Sequence, residues 1–186
     1  MKKLILASGS PRRKELLALA QPSYTVKVSD VDESAITAPT PAELAKALGR
    51  AKCLAVAAQE PDAVVLGCDT VVEFEGQVFG KPKDRADAKR MLQALSGQRH
   101  YVHTGVCLAQ GEHIENFVVT SAVDFLPIEE NDLENYINTR EPYDKAGGYA
   151  IQGHAAVWCK GIEGCYYNIM GLPVSRVAQA LKNFGF

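Results

Sequence analysis

Two arginines and a lysine crowd the start of an expected helix in Ser8-Gly9-Ser10-Pro11-Arg12-Arg13-Lys14. Ser10 suits an N-cap and Pro11 the first helical position. The free amides at a helix start carry roughly half a positive charge, so neighbouring cations are locally unfavourable. An anion seated in the turn removes that conflict, and phosphate is the natural one. A solvated basic turn, or a nucleic-acid or targeting patch, is the competing reading of the same residues.

Acidic chemistry is offered at two places. Asp69 follows the continuous apolar run Ala63-Val64-Val65-Leu66-Gly67 and Cys68. It is expected just beyond a strand covered on both faces, at the edge where open α/β sheets hold ligands. A cap or turn aspartate is the alternative. Glu33 lies in the acidic stretch Ser29-Asp30-Val31-Asp32-Glu33-Ser34. Such a loop either stays solvated or holds a hard cation such as Mg²⁺, which takes one or two carboxylates plus substrate phosphate. Two lysines stand near turns or helices, Lys81 in Phe79-Gly80-Lys81-Pro82 and Lys52 in Gly49-Arg50-Ala51-Lys52. The glycine-bearing loop at residues 143–153 carries charged and amide groups suited to a base or a polyphosphate. His100 and His103 are an odd number apart in a strand pattern, which sends them to opposite faces and defeats a shared metal site. Cys68 has no base close by in sequence and reads as a small buried residue. Walker A, GxGxxG and GxSxG patterns are absent.

Alternating elements must position these groups. Strands are expected at residues 4–7, at residues 24–28 and at residues 63–67, with a helix at residues 11–20. Thr40-Pro41-Ala42-Glu43 is a capping box opening a helix to about residue 59. Residues 71–74 and 77–79 form a hairpin around Glu75-Gly76, and Asp84 caps a helix ending near Ser96-Gly97. Two long antiparallel strands follow at residues 99–109 and 113–125, then a helix at residues 129–138. Residues 157–159 and 166–170 are expected to flank a turn at residues 161–164, before a last helix at residues 173–183. The pattern describes one α/β domain, residues 1–186, with a mixed sheet and room for a cleft.

The composition narrows the class. A net charge of −2 argues against a broad nucleic-acid surface, which needs many phosphate contacts. The basic cluster is therefore local and suits a small anion. Five cysteines without a CxxC pair fit reduced thiols. No apolar run approaches the ~20 residues of a membrane span, and the stretch near Met1 is too short for a signal peptide. A soluble cytoplasmic protein is expected.

Together, Ser8-Gly9-Ser10-Pro11-Arg12-Arg13, Glu33, Lys52, Gly67-Cys68-Asp69-Thr70, Gly80-Lys81-Pro82 and Asp144-Lys145-Ala146-Gly147 with Ile151-Gln152-Gly153 resemble the Maf family of nucleoside triphosphate pyrophosphatases. The resemblance runs over essentially the whole chain, in the family's order. Asp144-Lys145-Ala146-Gly147 with Gln152 resembles the branch acting on dTTP and UTP, not the 7-methyl-GTP branch. Cys68 departs from the alanine usual before the aspartate.

The resemblance implies an elongated α/β fold with a mixed sheet flanked by helices and a deep substrate cleft, akin to inosine triphosphate pyrophosphatases. It implies hydrolysis of a nucleoside triphosphate to monophosphate and pyrophosphate with a divalent cation, Mg or Mn, and it allows a homodimer. Asp69 corresponds to the proton acceptor. Arg12, Thr70 and Gln152 match positions tied to substrate choice, and Ser8, Arg13, Glu33, Lys52 and Lys81 match the other polar cleft residues. In that scheme the turn at residues 8–13 holds phosphate with Arg12 or Arg13, while Lys52 and Lys81 stabilise charge on the leaving group. Glu33 and Asp69 hold the metal, directly or through water. Gln152 offers a donor and an acceptor to the edge of a thymine or uracil. A non-catalytic nucleotide-binding regulator of cell division is the alternative, and it predicts binding without pyrophosphate release. An interaction protein presenting Pro11-Arg12-Arg13-Lys14 to an acidic partner predicts no nucleotide binding.

Overall fold

The structure, a computed structural model, describes residues 2–186. Among them, seven strands form one mixed sheet. They are β1 (Leu4–Leu6), β2 (Thr25–Val26), β3 (Val64–Phe74), β4 (Gln77–Phe79), β5 (Arg99–Gln110), β6 (His113–Phe125) and β7 (Cys159–Glu163). Their order is β2-β1-β3-β5-β6-β7, with β4 paired to β3. Strands β1, β2 and β3 run parallel, and the remaining pairs are antiparallel.

Among the described residues six α-helices flank the sheet: α1 (Pro11–Ala20), α2 (Pro41–Ala57), α3 (Arg85–Leu95), α4 (Glu130–Ile137), α5 (Tyr166–Met170) and α6 (Val174–Asn183). The expected caps form. Ser10 accepts from the Arg13 amide, Thr40 from the Glu43 amide and Asp84 from the Asp87 amide. Both faces of β1 and β3 are covered, as their unbroken apolar pattern requires. Leu4, Leu6, Val64 and Leu66 pack with Leu16 and Leu17 of α1 and Val177 and Leu181 of α6. Ile5 and Val65 pack on the other face with Cys53 and Val56 of α2. Beyond them, Val72, Val102, Val123 and Phe125 meet α3 and α4 through Leu92, Leu95, Leu133 and Ile137.

Three expectations need correction. The second strand shrinks to Thr25–Val26, both exposed, because only β1 borders it. The strand expected at residues 63–67 does not end before Asp69. β3 continues unbroken to Phe74, since β5 pairs it residue by residue from Val65 to Glu73 and no glycine or proline interrupts residues 68–74. Residues 161–164 are not a turn between two similar elements. Residues 154–158 form a 3₁₀ turn, β7 then pairs with β6, and residues 166–170 are the short helix α5, stopped by left-handed Gly171 (φ 117°).

Helix α2 lies almost on the backbone of the sheet. A Cβ at Gly105 of β5 would fall 2.0 Å from the Ala45 carbonyl oxygen, and one at Gly67 of β3 would fall 2.4 Å from the Cys53 nitrogen. A Cβ at Gly49 of α2 would fall 2.7 Å from the Gly105 carbonyl oxygen. These contacts demand glycine because the opposing atoms are main chain and cannot turn away. Gly105→Ala should therefore cost about 3 kcal/mol in urea unfolding, at the upper end of overpacking effects. Gly161→Ala, with nothing within 4 Å of the added carbon, should change stability by less than about 0.5 kcal/mol.

Candidate active site

The sheet has a gap along one edge of β3. β1 pairs with residues 64–66 and β4 with residues 72–74, so residues 67–71 have no partner strand on that side. Side chains from both faces of β3 reach the opening there. Asp69 points to the α2 face and Thr70, its neighbour, to the other. A cavity of about 750 Å³ lies at this gap. Ser8, Arg12, Arg13, Glu33, Lys52, Asp69, Thr70, Lys81 and Gln152 all line it. Sequence reasoning thus selected residues that come together, although Asp69 sits within a strand and not past its end.

One wall is a charge cluster drawn from three elements. Lys52 of α2 donates to Asp69 Oδ1 at 2.6 Å and pairs with Glu33 Oε1 at 2.9 Å. Glu33 opens a 3₁₀ turn whose N-cap is Asp32. The Lys52 and Asp69 side chains are each 14% exposed, whereas Glu33 is half-exposed. Burial alone would lower the Lys52 pKa, but Asp69 and then Glu33 outweigh it and hold the ammonium above the ordinary lysine value. Lys52 is accordingly a fixed cation and not a base. The two carboxylates converge on the Lys52 ammonium, and no group of three or more His, Cys, Asp or Glu residues suits a metal among the described residues.

The opposite wall is the start of α1. Ser8, two residues past β1, accepts from the Ser10 amide at 3.3 Å and from the Arg13 guanidinium at 3.3 Å. Arg13 also donates to the Gly171 carbonyl at 2.9 Å and to Thr70 Oγ1 at 3.0 Å. Its fork is thereby aimed before any ligand arrives. Arg12 is looser, with only the Asp144 carboxylate at 3.9 Å. Helix α1 has no acidic residue in its first turn, so its amides and both guanidiniums leave this wall electropositive.

Thr104 of β5 was not picked out from the sequence. Its hydroxyl donates to the Asn168 carbonyl at 2.9 Å and lies 2.9 Å from the Thr70 hydroxyl. Because a carbonyl only accepts, the Thr104 proton is committed, and Thr70 donates to Thr104 while accepting from Arg13. A threonine in a strand signals only β-propensity, so nothing in the sequence marked it. Cys68 is fully buried and burial pushes its thiol pKa up, which suits packing and not nucleophilic chemistry. His100 and His103 do part to opposite faces. His100 meets the Tyr149 hydroxyl, with burial lowering its pKa to about 4, and His103 meets Glu73.

The mixed sheet and its covering helices define an α/β fold already represented among solved structures. The Ham1 protein of Staphylococcus aureus matches with a TM-score of 0.55 at 14% identity, over 98% of this chain and 100% of that one. A HAM1 protein from Coxiella burnetii matches with the same TM-score at 15% identity over the same shares. At these identities the likeness is one of fold. Residues 3–184 match the family described as Maf-like protein, and the chain belongs to that family. A Bacillus cytotoxicus protein named dTTP/UTP pyrophosphatase is 47% identical over 99% of this chain and 96% of its own length. One from Bacillus cereus with the same name is 43% identical over the same shares.

The Lys52 cluster has a pH signature. Because the folded-state pKa is raised, its stabilisation is complete below the unfolded lysine value of 10.5 and is lost as pH climbs through the higher folded value. Lys52→Met should lower stability near neutral pH by about 2 kcal/mol, less than for a fully buried pair because Glu33 is half-exposed. The variant should also show a smaller loss of stability above pH 10.5 than the natural chain, with Lys89, likewise raised by Glu130 and Glu134, keeping its own share. Urea titrations between neutral and strongly alkaline pH measure both effects.

Proposed function

We propose that this protein is a nucleoside triphosphate pyrophosphatase that hydrolyses dTTP and UTP to the monophosphate and pyrophosphate, and that residues 1–186 form one such domain. The observation that carries the reading is the cavity itself. It faces an electropositive helix start with oriented guanidiniums against a carboxylate–lysine cluster, in a chain whose relatives bear that activity in their names.

The triphosphate lies against the turn at residues 8–13, where the α1 amides and the Arg13 fork take its oxygens. Arg12 exchanges its long contact with Asp144 for phosphate. Asp69 accepts the proton of the water that attacks the α-phosphorus in line. Lys52, held as a cation, and Lys81, exposed at the rim, stabilise charge growing on the departing pyrophosphate. Gln152 supplies a donor and an acceptor to the pyrimidine edge, and Thr70, its proton turned to Thr104, presents an acceptor only.

A divalent cation, Mg²⁺ or Mn²⁺, fits this donor set. Lys52 takes Asp69 Oδ1 and Glu33 Oε1, so the second oxygen of each carboxylate would hold the cation, and Mg²⁺ completes such a pair with water and substrate phosphate. When bound, it supplies neutralisation of the phosphates and a more acidic water. No described helix is long and apolar enough to cross a membrane. The five free cysteines suit a reducing cytoplasm, where we place the protein.

The test is pyrophosphate release from a panel of nucleoside triphosphates with Mg²⁺ or Mn²⁺. The natural chain should act on dTTP and UTP, and Asp69→Asn should lower kcat by about 10³-fold with nucleotide binding retained. A near-normal rate in Asp69→Asn would remove Asp69 from the role of base. Activity confined to 7-methyl-GTP would keep the chemistry and overturn the assignment of Gln152.

A further inference from the structure

Glu141 lies outside the cavity, yet its carboxylate makes an unusual set of contacts. The side chain is 15% exposed. Oε1 accepts from the His154 amide at 3.0 Å and from the Tyr136 hydroxyl at 3.2 Å, and Oε2 lies 2.6 Å from His154 Nδ1. At the other end of the same residue, the Glu141 carbonyl accepts from Lys145 Nζ at 2.8 Å. Residues 141 and 154 bracket the loop that brings Asp144, Lys145 and Gln152 to the cavity. The carboxylate thus ties the exit of that loop to its entrance.

Gly153 supplies a second, independent observation. A Cβ there would fall 2.1 Å from Glu141 Oε1 and 2.7 Å from the carboxyl carbon. The backbone of Gly153 (φ −98°, ψ −156°) is open to any residue, so glycine is needed for the carboxylate's space and not for an unusual torsion. Burial alone would raise the Glu141 pKa, but the His154 and Tyr136 bonds hold it below the usual glutamate value, so the group stays an acceptor near neutral pH.

We infer that Glu141 is a positioning residue for base selection: its carboxylate fills the space beside Gly153, clasps the loop at residues 144–152, and so fixes where Gln152 meets the base. This rests on the reading of Gln152 given under the proposed function. Gln152 is exposed and follows Ile151, whose burial alone would fix depth but not direction. The clasp one residue beyond Gln152 supplies the direction.

The experiment pairs hydrogen exchange across residues 144–152 with kcat/KM for dTTP and dGTP. Glu141→Ala should speed exchange there and lower the dTTP-to-dGTP ratio about tenfold, chiefly through the KM for dTTP. Glu141→Gln should retain both properties, since its amide can accept from the His154 amide and Tyr136 and donate to His154 Nδ1. Gly153→Ala should reproduce Glu141→Ala in the natural chain and add nothing once Glu141 is alanine. An unchanged ratio and unchanged exchange in a folded Glu141→Ala protein would overturn the inference. So would a Gly153→Ala effect that persists without the carboxylate. A natural chain that releases no pyrophosphate from any triphosphate would instead overturn the activity reading, and the role in base selection with it.

Discussion

Strand β3 loses its neighbour on one side between Leu66 and Val72, and the site exists because of that break. A strand paired on both sides presents its faces to covering helices and leaves no room for a ligand. Here β1 is too short and β4 begins too late to close the edge. The antiparallel partner β5 holds the other edge continuously, so β3 stays an unbroken strand across the gap. Asp69 and Thr70 therefore stand on opposite faces of one rigid strand and still border the same cavity.

The second requirement is the nearness of α2. Glycines at 49, 67 and 105 remove the side chains that would separate helix from sheet, and backbone meets backbone. Lys52, one turn along from Gly49, is thereby brought within 2.6 Å of Asp69. With ordinary side chains at those positions the helix would ride higher, and a lysine stem would have to reach farther to form the same pair. Burying a carboxylate and an ammonium is costly unless each meets its partner. The glycine seam is what lets burial and pairing occur together.

Much of this was legible in the sequence, and the part that was not has a common cause. Ser10, Thr40 and Asp84 announced their helices because a cap acts on amides only two or three residues away. The long hairpin of β5 and β6 was equally local, with Gly111 (φ 57°) at its turn. The nine candidate site residues were found through the order of their motifs. Contacts between distant main chains left no such trace. Gly105 is an unremarkable strand glycine until Ala45 is seen above it, and Gly153 looks like loop flexibility until the Glu141 carboxylate is seen in its place. The continuation of β3 through Asp69 was hidden for the same reason, since its ladder is supplied by residues 101–109.

The two sides of the cavity are built by different means, and the difference bears on how such a protein can change. Asp69 and Lys52 sit on a strand and a helix whose spacing is fixed by backbone contact, so little can move there without unsettling the core. Asp144, Lys145 and Gln152 sit on a loop held by side-chain bonds to one carboxylate and by Gly147, whose amide donates to the Gly80 carbonyl at 3.0 Å. Tyr149 and Ile151 of that loop are built into the core beside Val102 and Phe125, so on the proposed reading it is the exposed Asp144 and Gln152 whose substitution can alter which base is met while residues 8–13 and the carboxylate cluster keep their places. If Asp69 carries the reaction and Gln152 meets the base, as proposed, this separation of a rigid wall from a clasped loop lets one fold keep its chemistry and vary its substrate.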